Sequence, residues 1–303
     1  MNFASLEQAE LCTYLARGLR FRSGPFIFNL QTDLSEIAPL LRQLYAAYPL
    51  ALDAGFTDFC VNLQVRGGVR RWWRPQVQLW LDGKTPFQPF PRDTALPFLE
   101  WGLNWCVAMH AHHYLMLHAG VIARDDRAIL LPAWPGSGKS TLCTALTYRG
   151  WRFLSDEFAL IRPSDLHIAP FPRLIALKNE SISVIRQFAP AAVMGPAFPK
   201  TRKGTVCHVR PPVNSIENSL KTAKACWVVF PDYQPAAAPL LRPLDKARAF
   251  LKLAGNSFNY ELIGLRGFET VAGLIDSCDC YLFQYSDLEQ AVAQLNALAD
   301  GLI

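Results

Sequence analysis

Long apolar runs are missing from this sequence. Its most apolar stretches, such as residues 128–133 and 226–230, fall far short of the roughly 20 residues a membrane helix needs. The first residues, Met1-Asn2-Phe3-Ala4-Ser5-Leu6-Glu7, lack the basic segment and apolar block of a secretory signal. Paired cysteines are lacking too. The eight cysteines are scattered, and only Cys278 and Cys280 stand close. A lone C-x-C without a second pair is a poor metal-ligand set. Free, mostly buried thiols in a cytoplasmic protein are expected. Glycine (18) and proline (22) are too sparse in 303 residues for a collagen-like or low-complexity chain. Charged residues make up only 18% against 51% hydrophobic, which excludes intrinsic disorder. The net charge of +5 permits an anionic ligand without demanding nucleic acid. Neither a membrane nor a nucleic acid is expected as a partner.

The length allows one large domain or two modest ones, and no internal repeat or long linker divides the chain. Residues 1–112 read as α+β. Strand-like composition covers residues 20–30, 56–65 and 77–81, and helical periodicity covers 35–48 and 93–111. From residue 113 the texture changes. Two apolar runs, 114–123 and 128–131, flank Arg124-Asp125-Asp126-Arg127 as a hairpin. A helix is expected over 140–148, stopped by Gly150. Strands are expected over 153–154, 158–161, 173–177 and 225–230. Asn179 and Asp245 read as caps of helices 181–188 and 245–254. Ser286-Asp287-Leu288-Glu289 reads as a capping box for the last helix.

The sharpest signal is Ala133-Trp134-Pro135-Gly136-Ser137-Gly138-Lys139-Ser140-Thr141, which joins an apolar strand to an amphipathic helix. Glycines let the backbone approach a phosphate, and successive N–H groups at a helix start present positive partial charge to it. Pro135, Gly136, Ser137, Gly138, Lys139, Ser140 and Thr141 are therefore the candidate nucleotide-binding residues. Lys139 would reach the outer phosphates, and the Ser140 hydroxyl would hold Mg²⁺. The usual pattern opens with Gly where this chain has Ala133.

Asp156-Glu157 follows the loop helix after one short strand. In a parallel α/β arrangement the end of that strand lies beside the phosphate loop. One acid, Asp156, can take the proton of an attacking hydroxyl. The other, Glu157, can help hold Mg²⁺. Upstream, His118 sits in an apolar run that the hairpin returns towards the loop, where it would orient the acid or contact the phosphoryl group.

His118, the loop Gly136-Ser137-Gly138-Lys139-Ser140 and the pair Asp156-Glu157 together resemble the C-terminal catalytic domain of HPr kinase/phosphorylase. The likeness is strongest to the bacterial HPr-kinase-related serine kinases, in particular the HPr-kinase-related kinase A group. Residues 203–212, Ala247-Arg248-Ala249-Phe250, Phe258-Asn259-Tyr260 and Gly267-Phe268-Glu269 share in it. The resemblance spans roughly residues 113–303. It implies a P-loop kinase domain with a phosphoenolpyruvate-carboxykinase-like core behind a smaller α+β N-terminal domain. It further implies use of ATP and Mg²⁺ to phosphorylate a serine of a protein or peptide, and a tendency to homo-oligomerise. The family's paired aspartates read Asp156-Glu157 here. Its downstream signature is not recognisable in Leu174-Ile175-Ala176-Leu177-Lys178-Asn179, so kinase activity without the reverse phosphorylase reaction is expected.

Other groups stay open at this level. Arg66, Arg70, Arg71, Trp72, Trp73 and Arg74 read either as a nucleic-acid or acidic-peptide surface or as a solvated hairpin with Gly67-Gly68 at its tip, which could still dock a protein substrate. His110, His112 and His113 lack an acid or thiol to complete a metal site. Arg202, Lys203, His208 and Arg210 belong either to a solvated loop or to one that folds over the nucleotide and neutralises transition-state charge. Lys178 is a further candidate for that role. Two other functions fit the same residues: a regulatory protein that binds nucleotide without transferring phosphate, and a small-molecule kinase.

Overall fold

The structure, a computed structural model, describes residues 1–68, 72–134 and 136–302. The chain is mixed α/β, with three sheets and helices between them. Among the described residues no helix is long and apolar enough to cross a membrane.

The first sheet has five strands in sequential order: β1 (Leu19–Ser23), β2 (Phe26–Thr32), β3 (Phe59–Val65), β4 (Gln76–Leu81) and β5 (Phe90–Pro91). Strict alternation of buried and half-buried residues along β1 and β2 is the period-2 pattern of a half-covered sheet. The single strand-like stretch 20–30 is in fact this hairpin, turned at Gly24. Helices α1 (Gln8–Arg17), α2 (Ile37–Leu44) and α3 (Ala95–His110) bury apolar residues from this half of the chain. β3 and β4 pair antiparallel, with Arg66 N–H donating to the Gln76 carbonyl at 2.9 Å. Arg70 and Arg71 lie outside the described residues, and Trp73 is exposed beside them.

The second half carries an eight-stranded mixed sheet. Strands β6 (Leu115–Arg124) and β7 (Arg127–Pro132) form the expected hairpin. The helix after the glycine turn is α4 (Lys139–Thr147), followed by β8 (Arg152–Ser155), β9 (Phe158–Ile161) and β10 (His167–Ala169). β11 (Ile175–Lys178), α5 (Glu180–Phe188), β12 (Met194–Thr201) and β13 (Gly204–Val209) come next, and β11, β13 and β12 make a separate three-stranded sheet. After α6 (Val213–Glu217), β14 (Ala223–Tyr233) pairs parallel with β7. β15 (Leu240–Pro243), α7 (Lys246–Gly255), α8 (Leu265–Ser277), β16 (Asp279–Tyr285) and α9 (Leu288–Ala299) complete the chain. The large sheet runs β10-β9-β6-β7-β14-β16-β15, with β8 also on β6. Alternate residues of β6 and β7 point to opposite layers. Val121 and Leu130 face α7 and α8, whereas Ile122 and Ile129 face α4, α5 and α9.

Some local expectations change. Asn179 does precede α5, but its side chain accepts from Thr205 N–H rather than capping the helix. The last helix is capped by Asp287, which accepts from Gln290 N–H, one position after the expected Ser286. Arg202, Lys203 and His208, expected in a loop, lie in the β12–β13 hairpin, and Arg210 follows its last strand.

The two halves share a core. Residues 169–174 are all buried, and Phe171 stacks among Phe26 and Phe28 of the first sheet. Ser23 and Tyr48 hydroxyls both donate to the Pro172 carbonyl, the latter at 2.6 Å. Arg173 enters as a buried cation. It donates to Glu100 at 2.8 Å and to the Tyr45 hydroxyl, which itself donates to Glu100. Burial pushes the Tyr45 phenol well above its ordinary range, so it stays a donor. Burial also opposes the Arg173 charge, but Glu100 outweighs it and keeps the guanidinium ionised.

Removing one partner of a buried ion pair strands the other charge. Glu100→Ala is expected to cost about 3–5 kcal/mol in urea unfolding. Glu36→Ala, at the exposed pair with Arg92, is expected to cost less than about 1 kcal/mol. Equal losses would show that Arg173 is not held by Glu100.

Candidate active site

The phosphate loop leaves the carboxyl end of β7 and is gripped from the β14 side. Tyr233 N–H, at the end of β14, donates to the Ser137 carbonyl at 3.2 Å. The Tyr285 hydroxyl, at the end of β16, donates to the Gly138 carbonyl at 3.1 Å. Gly138 must be glycine for two reasons. Its φ is +82°, and a Cβ there would collide with the Tyr285 hydroxyl. Gly136, at φ +95°, has nothing within 4 Å of the Cβ it lacks, so its backbone faces open space. The first N–H groups of α4 have no partner within the helix. The Ser137 hydroxyl is buried without a hydrogen-bond partner among the described residues. An anion seated on the loop would supply acceptors for these donors, so the residues fit a phosphate chain. Pro135 lies outside the described residues.

Lys139 does not point into solvent. The residue is only 8% exposed, and its ammonium donates to the Asp156 backbone carbonyl and pairs with Asp156 Oδ1 at 3.0 Å. The path differs from a parallel α/β arrangement. β8, which delivers Asp156, is not the neighbour of β7. Both strands pair antiparallel with β6, which lies between them: Gly120 opposes Leu131, and Val121 opposes Ser155. Two ladder steps separate β7 from β8, about 9–10 Å. The lysine crosses β6 over Gly120, where a Cβ would stand 3.5 Å from Lys139 Cγ and 3.3 Å from Cys143 Sγ. Ser155 fixes the turn beyond β8 by accepting from Phe158 N–H at 3.1 Å. Asp156 and Glu157 are thereby held at its tip.

His118 lies on β6 opposite Phe158, and its Nε2 is 3.8 Å from Glu157 Oε1. Asn256 clasps its backbone from both sides. His118 N–H donates to the Asn256 carbonyl at 2.8 Å, and Asn256 Nδ2 donates to the His118 carbonyl at 2.7 Å. Asn259 fixes the start of the same strand, binding Met116 N–H and the Tyr114 carbonyl.

Burial opposes the charge on Lys139, yet Asp156 and Glu157 outweigh it and hold its pKa above the ordinary lysine value. Burial also opposes ionisation of Glu157. There Lys139, His118, Lys203 and Lys178 prevail and keep the carboxylate below its usual range. Burial and Lys139 push His118 below its ordinary value, so the neutral imidazole is favoured. Burial and Lys203 lower Lys178. Lys178 on β11 and Lys203 in the β12–β13 turn thus share the field of Glu157.

Three candidates are placed elsewhere. Arg202 lies over the Phe90 ring at 5.1 Å. Arg210 donates to the Gln43 carbonyl at 3.1 Å. His208 is buried in the field of Arg173 and Glu100, and burial lowers its pKa. None of these contacts is with the phosphate loop, because the β12–β13 hairpin turns them towards the first half of the chain.

Among the described residues no group of three or more His, Cys, Asp or Glu side chains could hold a metal ion. Mg²⁺ carried with substrate phosphates needs only one or two protein oxygens. The half-buried Ser140 hydroxyl and the ionised Glu157 are of the right chemistry for it. A surface concavity of about 830 Å³ between the β9–β10 turn and α8 shares no residue with this site.

Two contributors had no role in the sequence reading. Gly120 carries a signal, a glycine inside an apolar strand, which marks close approach of another group. Asn256 carries none, since its effect depends on α7 ending beside β6. No known protein-family model and no curated protein matches the chain.

The electrostatics give a two-way test by NMR titration of His118. Its midpoint is expected below the ordinary histidine value, rising in Lys139→Met and falling further in Glu157→Gln. The unfolded chain takes up this proton first as pH falls, so the histidine should erode stability below about pH 6.5, the ordinary histidine value. Shifts of the opposite sign would contradict the arrangement. Gly120→Val, which adds an isopropyl group across the path of Lys139, is expected to cost about 1–3 kcal/mol in urea unfolding. A neutral substitution would mean that the lysine does not cross there.

Proposed function

We propose that the chain is an ATP-dependent kinase that transfers the γ-phosphoryl group to a serine hydroxyl of a protein or peptide. The observation that carries this reading is the convergence of Lys139 from a glycine loop with Asp156 from a strand two places away. Glu157 and His118 stand beside them. A loop that merely turned a strand into a helix would not need a buried ammonium reaching a carboxylate across a third strand. The resemblance to HPr-kinase-related kinases at His118, Gly136–Ser140 and Asp156-Glu157 supports the same reading. In it residues 113–303 form the P-loop kinase domain, with a phosphoenolpyruvate-carboxykinase-like core. Residues 1–112 serve as an N-terminal docking region. The eight cysteines, all unpaired, suit a reducing, ATP-containing cytoplasm.

In this reading Asp156 accepts the proton of the serine hydroxyl as its oxygen attacks the γ-phosphorus and the bond to the β–γ bridging oxygen breaks. Lys139 exchanges Asp156 for the outer phosphates and follows the charge onto the leaving diphosphate. Ser140 and Glu157 would hold Mg²⁺, which offsets phosphate charge when bound. His118, neutral and pinned by Asn256, orients Glu157. Lys178 and Lys203 supply positive charge on the acceptor side.

A second reading is a nucleotide-binding regulator without transfer. The closed Lys139–Asp156 pair favours it, because a carboxylate held by an ammonium is a poor base. Single-turnover phosphoryl transfer separates the two. Asp156→Asn keeps an oxygen for Lys139 but cannot take a proton. It should hold MgATP affinity within about threefold, under ~0.7 kcal/mol, and lose at least ~100-fold in kcat. Lys139→Ala should weaken MgATP binding and abolish turnover. An Asp156→Asn enzyme of near-parental rate would remove the base assignment and leave the regulator.

A further inference from the structure

Asp156, Glu157, His118, Lys178 and Lys203 mark one pole of the phosphate loop, on the β6 side of β7. A nucleotide whose γ-phosphate points to that pole must send its sugar and base to the other side, over the ends of β14 and β16. An aromatic ring stands there without a core to fill. Tyr233 is 46% exposed, yet it is held firmly. Its N–H is bonded to the Ser137 carbonyl, and its ring meets Tyr285 edge-on, with centroids 5.8 Å apart and planes at 71°. A Cβ on Gly138 would lie 3.0 Å from Tyr233 Cβ, so the ring is rooted directly against the loop backbone. Trp134, 67% exposed, stands at the loop entrance, with its carbonyl accepting from Ser137 N–H at 3.3 Å.

Single exposed aromatics are ordinary. Two that bracket a phosphate loop, one fixed by both backbone and ring contacts, are not explained by packing. The geometry points to a nucleobase platform formed by Tyr233, with Trp134 as the second wall. It rests on the phosphate-loop reading and extends it to the nucleoside. Stacking on an aromatic face tolerates any base, so the platform adds affinity for nucleoside phosphates over bare polyphosphate without choosing adenine over guanine by itself.

Calorimetry of the full chain with three probes, MgATP, MgGTP and magnesium tripolyphosphate, tests this apart from the loop. Tyr233→Ala is expected to weaken both nucleotides at least tenfold while leaving tripolyphosphate within twofold. Tyr233→Phe should restore nucleotide binding, since it keeps the ring. Trp134→Ala should show a smaller loss of the same kind. Unchanged nucleotide affinity in Tyr233→Ala overturns the platform, as does an equal loss for tripolyphosphate. Failure of the parent protein to bind tripolyphosphate counts instead against the phosphate loop, whatever Tyr233 does.

Discussion

A buried ammonium needs an anion, and Lys139 finds one only by crossing a strand. Much of the site's construction follows from that constraint. The crossing requires Gly120 to lack a side chain, because Lys139 and Cys143 already fill the space above it. It requires β8 to stop at Ser155, so that the turn delivers both the Asp156 carbonyl and its carboxylate to one nitrogen. It also requires α4 to begin at Lys139, which the left-handed Gly138 allows and Tyr285 enforces by leaving no room for a Cβ. An unpaired ammonium at this depth would deprotonate or pull water inward. The pair with Asp156 avoids both.

The second buried cation, Arg173, ties this site to the first half of the chain. The segment 169–174 carries Phe171 into the aromatic core and Arg173 to Glu100, and it leads directly into β11 and Lys178. His208, on the paired strand β13, lies in the field of the same ion pair. Displacement of Arg173 would therefore be felt along β11, which bears Lys178, and along β13, which follows the turn bearing Lys203; both lysines act on Glu157. The first 112 residues do not close their core alone. They are completed by Met116, Phe158, Phe171 and Leu174.

The glycine turn, the hairpin before it and the helix after it were legible in the sequence, because apolar runs, glycines and Lys-Ser-Thr stand consecutively. The caps at Asp245 and Asp287 were within one residue of their expected places for the same local reason. Contacts set by strand order were not legible. Nothing in the spacing of Asp156 after Lys139 distinguishes an adjacent parallel strand from one separated by β6. Nor could a basic run between prolines reveal itself as a hairpin with its cations turned apart, Lys203 towards Glu157 and Arg202 onto Phe90. Helix α8 was missed although its buried face recurs at Gly267, Thr270, Val271, Leu274 and Ile275. A glycine and a threonine within that face dilute its apolar period.

The closed Lys139–Asp156 pair bears on how such a site could avoid idle chemistry. While the ammonium stays on Asp156, the carboxylate is occupied by that pair. Under the proposed function, phosphate oxygens at the loop would compete for the same ammonium, with the N–H groups at the start of α4 and the Ser137 hydroxyl as donors to them. Glu157 does not follow Asp156 in this exchange. It keeps His118 and two further lysines in its field, so its ionisation does not depend on Lys139 alone. Under the proposed function one acid would be switched by the nucleotide and the other would not, a division that follows from which of them the crossing lysine touches.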